Sequence, residues 1–220
     1  MRRILSCVLM MTLLLAGCAA GQPEEDSPEQ LTNLIRGEYL SMAGWTGQVE
    51  VTAHYQRQVF AFTLDVDWSR EGESVLTVVS PQLLAGITAR IQDGEGTLEY
   101  DGAGLSIGAL DADGLTPVAT VPAVMEQMGT GYIARCDWQG EGEERQLYLQ
   151  CRDPERPEQE GTQYELWLDP SSHALEQAEV SVDGTLRMAL TFLDFTMELT
   201  QDETGNDAGL GGDRPGQSGT

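Results

Sequence analysis

Three groups of residues in this chain have types and spacings that suggest chemistry. Gly104-Leu105-Ser106-Ile107-Gly108 matches the G-x-S-x-G pattern of a nucleophile elbow, and Asp137, Asp169 and His173 follow it in acid-then-histidine order. A serine of that kind must sit on a sharp strand-to-helix turn with a base in reach. Here Asp101-Gly102 and Asp111-Ala112-Asp113-Gly114 flank it as turns on either side of a short strand, so a serine hydrolase is a minor reading. The second group, Asp111-x-Asp113-Gly114, would open a calcium loop. Its first ligand position is Ala109 and its twelfth is Thr120, without charge or a bidentate carboxylate. A turn rich in Asp and Gly is the simpler account. The third group is the thiols, Cys136 and Cys151 among them. His54 and His173, with no Cys/His cluster, supply no zinc ligand set, and Asp65 and Asp67 share one face of a strand as a solvated surface. The chain is expected to be no enzyme, with no cofactor and no metal.

The elements that would position these residues show two periods. Ser27, Pro28 and Gln30 form a helix start with a capping box, and Leu31, Leu34, Ile35 and Met42 fall on one helical face ending near Gly44. The period then falls to 2. Val49, Val51, Ala53 and Tyr55 alternate with polar residues, as do Phe60, Phe62, Leu64, Val66 and Trp68. Strand-like runs follow at about 74–80, 87–92, 97–100, 104–110, 132–139, 145–152, 162–169, 175–182 and 185–199, punctuated by Asp93-Gly94, Asp101-Gly102 and Asp183-Gly184. Short alternating strands joined by Asp-Gly turns predict an antiparallel meander. Pro81–Gly86 reads as one helical turn. Pro122–Met128 reads as a short helix started by proline, with Val121, Val124, Met125 and Met128 on its apolar side.

Charge narrows the partners. The chain carries 36 acidic residues against 12 basic ones, and every basic residue is arginine. A surface this acidic repels phosphate backbones and anionic headgroups, which excludes nucleic acid as a partner. Residues 19–28 and 201–220 are polar, with too little apolar area to offset the entropy of ordering, and are expected to be disordered.

At the amino terminus Arg2 and Arg3 precede an apolar run that ends in Leu14-Leu15-Ala16-Gly17-Cys18. These five residues resemble the lipobox of bacterial lipoproteins. The resemblance implies cleavage before Cys18, a diacylglyceryl thioether on its sulfur with a further acyl chain such as palmitate, and an extracytoplasmic, membrane-anchored body. Cys18 is followed by Ala19 and not by aspartate, which in a diderm cell favours the outer membrane. An ordinary signal peptide with a chance cysteine is the alternative. The run Ile4–Ala16, broken by Ser6 and Thr12, is too short to span a bilayer. Loss of residues 1–17 removes two arginines and no acid, taking the formal charge from −24 to −26. It also removes Cys7 and, with Cys18 taken by lipid, leaves Cys136 and Cys151 as one pair in an exported chain, which predicts a disulfide. If Cys136 opposes Cys151 across a hairpin, Trp138 faces Leu149. Two buried thiols are the other reading.

The order of tether, one amphipathic helix, and a long meander broken by short helices resembles the LolA/LolB-type lipoprotein-carrier fold. Periplasmic lipoprotein carriers, RseB-like envelope sensors and the spore germination lipoprotein GerS share that fold. The likeness covers residues 29–199, with Ser80-Pro81-Gln82-Leu83-Leu84-Ala85-Gly86 and Leu98-Glu99-Tyr100-Asp101-Gly102 as its local marks. It implies a mainly β (α+β) domain, a curved, incomplete antiparallel β-barrel covered by the first helix and the short inserted ones. The division expected is a signal peptide at 1–17, lipidated Cys18 and tether at 18–28, the domain at 29–199, and a tail at 200–220. The function implied is binding of a lipid or acylated chain between sheet and helices, in a cleft lined by Phe60, Phe62, Leu64, Val66, Trp68, Met125 and Met128. The alternative is a regulator or scaffold with a filled core that engages another envelope protein.

Overall fold

A computed structural model describes residues 27–55, 57–109 and 115–199. Cys18, the signal segment, the tether up to 26, the Asp111–Gly114 turn and the tail from 200 lie outside the described residues. The first helix, α1 (Pro28–Ser41), starts where the capping box placed it. The Gln30 amide donates to Ser27 Oγ at 3.3 Å and the Ser27 amide to Gln30 Oε1 at 3.2 Å. Its buried face is Leu31, Thr32, Ile35 and Tyr39. Leu34 is 56 % exposed, and Met42 already belongs to the first strand, so the stripe runs one step round from the face expected. Tyr39, polar only at its tip, replaces Leu34 in the buried row because its ring stacks on Phe195 and its hydroxyl reaches a carbonyl.

Eleven strands follow: β1 (Met42–Tyr55), β2 (Gln58–Ser69), β3 (Ser74–Ser80), β4 (Thr88–Gln92), β5 (Glu95–Tyr100), β6 (Ala103–Ala109), β7 (Ile133–Gln139), β8 (Gln146–Arg152), β9 (Thr162–Leu168), β10 (Leu175–Val182) and β11 (Thr185–Leu199). They form one antiparallel sheet in the order β6-β5-β4-β3-β2-β1-β11-β10-β9-β8-β7. The two ends, β6 and β7, do not pair, so the curved sheet is an incomplete barrel. Asp93-Gly94, Asp101-Gly102 and Asp183-Gly184 all have positive φ at both residues, the backbone of tight hairpins whose twist matches their strands. Pro81–Gly86 is a turn, closed by the Leu84 amide on the Pro81 carbonyl, and not a helix.

Between β6 and β7 lies α2 (Pro117–Thr130), twice the length expected. Pro117, not Pro122, occupies the first helical position, and Thr116 caps it by accepting from the Ala119 amide at 3.2 Å. Pro122 stands inside the helix. Ala119, Val121, Ala123, Val124, Met125 and Met128 are all buried, so α2 is apolar nearly all round, as a helix laid into a sheet must be.

The register sorts the side chains into rows across the inner face. Phe192, Val49, Leu64 and Val78 form one row; Phe195, Gly47, Val66, Leu76, Ala89, Leu98 and Leu105 form the next. Trp45 fills the centre, with its ring 4.8 Å from Phe195 and 5.8 Å from Phe192. Its neighbour Gly47 must be glycine. A Cβ there would lie 1.8 Å from the Asp194 carbonyl oxygen, where β11 bulges against β1.

Arginine secures the joints. Arg36 of α1 donates from Nε and Nη2 to the Gly129 carbonyl at the end of α2, at 3.2 and 2.8 Å, which also suits the negative end of that helix. Arg70 reaches the carbonyls of Met42 and Tyr39, at 2.8 and 2.6 Å, and holds the corner where α1 turns into β1. Tyr39 donates to the His173 carbonyl at 3.1 Å, and His173 Nδ1 lies 2.7 Å from Glu38 Oε2, so α1 is also tied to the β9–β10 turn.

Gly47→Ala is expected to lower stability by about 2 kcal/mol, the usual cost of overpacking a core. Urea unfolding of the two proteins checks this, and a change within about 0.5 kcal/mol, the range of an ordinary surface substitution, contradicts it.

Candidate functional site

The serine motif is taken apart by the fold. Ser106 lies inside β6, at one end of the strand order, where it pairs with Thr97 and so does not itself sit on a strand-to-helix turn. His173 sits in the β9–β10 turn, its ring engaged with Glu38. Asp137 pairs with Arg135 on β7. Asp169 caps its own turn, accepting from the amides of Ser171 at 2.9 Å and Ser172 at 2.6 Å. The Ser172 amide holds that carboxyl below the usual range. The residues read as a triad are thus not brought together. Among the described residues no cluster of three or more His, Cys, Asp or Glu side chains is arranged to hold a metal. Asp65 is exposed and accepts from Gln48 Nε2 at 2.8 Å, and Asp67 is exposed beside it.

The thiols correct the expected bridge. Cys136 opposes Leu149, Trp138 opposes Leu147, and Cys151 opposes Ile133. Both cysteines are free. The tip of this hairpin is longer than read, with Gly140 and Gly142 at positive φ and a 3-10 turn at Gly142–Glu144, which shifts the register by two. The two cysteines are therefore diagonal neighbours. Such positions lie about 7–8 Å apart, beyond what a disulfide spans without backbone movement.

The seven residues read as cleft lining divide by depth. Leu64, Val66, Met125 and Met128 are all under 5 % exposed and belong to one contiguous core, with Phe62 and Trp68 packed against it. Phe60 is 42 % exposed, its ring 6.1 Å from Tyr55. α2 crosses this inner face. Its first turns stand over Trp68 and Ile91, and its last turn reaches Cys151, whose Sγ lies 4.0 Å from the Gln127 carbonyl. A cleft of about 410 Å³ opens at the side, between Ala119, Pro122 and Ala123 of α2 and Trp68, Arg70, Ile91 and Asp93, and another of about 490 Å³ lies between Gln127 and Thr130 of α2 and Arg152, Thr162, Tyr164 and Val182. Arg70 covers the Trp68 ring, its Cζ 5.5 Å from the centroid.

The cover thins over β5, where Leu98 still packs against the core, and ends before β6. Along one row exposure climbs from Leu76 at 2 % and Ala89 at 3 % to Leu105 at 65 %. Tyr100, Ile107 and, in the 81–86 turn, Leu83 are exposed as well. The two sheet edges also differ. On β7, Arg135 and Asp137 form an ion pair and α1 lies alongside. On β6 there is no charge and no proline, and every residue but Gly108 is exposed. Charged side chains and coverings are the usual protection of a sheet edge, so among the described residues β6 is the unguarded edge. Sequence reading did not single it out, although the contrast between Ala103–Ala109 and Ile133–Gln139 carries the signal.

No family model matches the sequence, and no curated protein matches it. Several solved structures share its general form. A LolA superfamily protein from Nitrosomonas europaea is 12 % identical, with 80 % of this chain and 96 % of that one covered, at a TM-score of 0.40. LprF from Mycobacterium bovis is 13 % identical over 79 % of this chain and 94 % of its own, at 0.45. A chain from the complex of the CwlD amidase with the GerS lipoprotein, from Clostridioides difficile, is 15 % identical over 80 % and 98 %, at 0.39. The likeness is one of fold at low identity. Among the described residues no helix is long and apolar enough to cross a membrane.

Burial pushes the Cys151 thiol up to about 11, and it raises Cys136 as well. Only thiolates alkylate readily. Native protein at neutral pH should therefore react slowly with iodoacetamide, the half-buried Cys136 ahead of Cys151, and both should react once the chain is unfolded without reductant. Resistance of both thiols to alkylation after unfolding contradicts the register.

Proposed function

We propose that this chain is a lipid-anchored envelope protein without catalytic activity, whose folded body binds another protein at the β5–β6 end of its open sheet. The observation that carries the reading is the uneven cover of the inner face. α1 and α2 close over the centre of the sheet, and the apolar surface emerges again at Leu105, Ile107 and Tyr100. A monomeric surface seldom keeps such groups together beside a bare sheet edge without a use for them. The anchor rests on Leu14–Cys18, and two acyl chains on Cys18 would hold the body stably at the membrane where one would not. With a charge near −26 the body stands off an anionic bilayer and leaves its sheet accessible.

A second reading, carriage of an acyl chain beneath α2, draws on the cleft between Trp68, Ile91 and Pro122. There Met125 and Met128, adaptable in shape, would move aside for the guest.

Two measurements test the reading. In its native cell, labelled palmitate should enter the wild-type chain and not Cys18→Ala. A photo-crosslinking phenylalanine at Leu105, in the full-length anchored protein, should yield a discrete protein adduct that a probe at Leu34 on α1 does not. Adducts to lipid alone, with a co-purifying lipid in native mass spectrometry, favour the second reading. Absence of any adduct at Leu105 overturns the first.

A further inference from the structure

β6 has the composition and geometry of a strand that accepts another strand. Its hairpin with β5 turns on two residues, Asp101 and Gly102, at φ +50° and +78°. A two-residue turn makes Tyr100 and Ala103 the first hydrogen-bonded pair, and the pattern then alternates. Ala103 and Leu105 spend their backbone groups on β5, whereas those of Gly104 and Ser106 point to the open edge. The bulge opposite Gly96 and Thr97, with Gly108 at φ +70°, ends this regular stretch. Leu105 faces inward and would lie against the side chains of an added strand.

Charge selects the occupant. The edge strand itself is neutral, but Glu95 and Glu99 lie on its partner strand β5, Asp101 in the β5–β6 turn and Asp93 in the β4–β5 turn, with Arg90 on β4. Arg90 already holds Glu73 at 2.6 Å and Glu99 at 2.9 Å. A second copy of this chain paired edge to edge would set two such acidic borders side by side, each on a body of net charge −26. The polyacidic tail, with Asp202, Glu203 and Asp207, meets the same repulsion. A segment with basic residues flanking apolar ones meets attraction.

We propose that β6 is an acceptor edge for an extended basic-apolar segment of a partner protein, which adds as a twelfth strand through the amides and carbonyls of Gly104 and Ser106. The proposal deepens the partner-binding reading and rests on it.

The test uses the full chain in detergent and a labelled peptide of alternating arginine and valine, read by fluorescence anisotropy. Binding is expected for this peptide and not for one of alternating glutamate and valine. It should weaken as salt rises from about 0.1 M to about 1 M, where the screening length falls from about 10 Å to about 3 Å. Ser106→Pro removes an outward donor without touching the β5 ladder and should weaken binding about tenfold or more. Should that variant unfold, N-methylation of alternate peptide amides asks the same question of the wild-type chain, with the same loss expected. Equal binding of the glutamate peptide, or of the N-methylated one, overturns the proposal. So does a dimer in sedimentation that occupies the edge. The Leu105 photoadduct separates this result from the broader reading. An adduct that persists in folded Ser106→Pro means that the partner docks on the face and not the edge, so this inference fails and partner binding stands. No adduct in either protein means that partner binding itself fails.

Discussion

The constraint on which the structure depends is one-sided burial in an open sheet. Strands β1, β2 and β8–β11 alternate so that one face is apolar, and that face has to be removed from water. Among the described residues two helices serve the purpose, one before the strands and one between β6 and β7. Tyr39, Ile35 and Leu31 from α1 and Val121, Val124, Met125 and Met128 from α2 enter the same core as Trp45, Val49 and Leu190. Because the helices are only 14 residues each, they cover the middle of an 11-stranded sheet and not its whole breadth. What they leave uncovered becomes the surface that is available for function.

The polar side of this economy is carried by arginine. In a chain with so few cations, Arg36 and Arg70 are spent on backbone carbonyls at the junctions of α1 with α2 and with β1. A planar guanidinium can hold two acceptors in fixed directions where an ammonium would not. The acids are left mostly to the rim and the outer face, where Glu165 and Glu179 crowd each other. Burial and Glu165 together raise Glu179, and Tyr148 donates to Glu165 at 2.6 Å. The outer surface thus keeps its negative field while the core is apolar and its joints with α1 are held by arginine.

Much of this architecture was legible in the sequence. The capping box at Ser27, the strand runs and the Asp-Gly turns at 93–94, 101–102 and 183–184 all depend on local backbone preference, and they lie where the residues place them. The misreadings share a cause. Pro122 looked like a helix start because proline favours that position, yet Pro117 and the Thr116 cap six residues earlier took it. Leu34 looked buried by period alone, but the space on that row belongs to the larger Tyr39. The register that would have joined Cys136 to Cys151 turned on the conformation of Gly140 and Gly142, which pattern does not specify. As for the site, the apolar residues of β2 were identifiable as one face, but whether a face is packed or open depends on how far a lid extends. The contrast between the two sheet edges is a tertiary fact as well, since edges exist only once strand order is known.

Hydrogen exchange by residue measures the central claim most directly, because it reports separately on the lid and on the bare edge. The account predicts that amides of Val121–Met128 in α2 and of Val49–Ala53 in β1 exchange slowest, through opening of the whole domain. It predicts that Gly104 and Ser106, whose amides have no partner strand across the edge among the described residues, exchange at nearly the rate of an unstructured chain. If the α2 amides exchange as fast as those of β6, the lid is not closed over the sheet, and the account is contradicted.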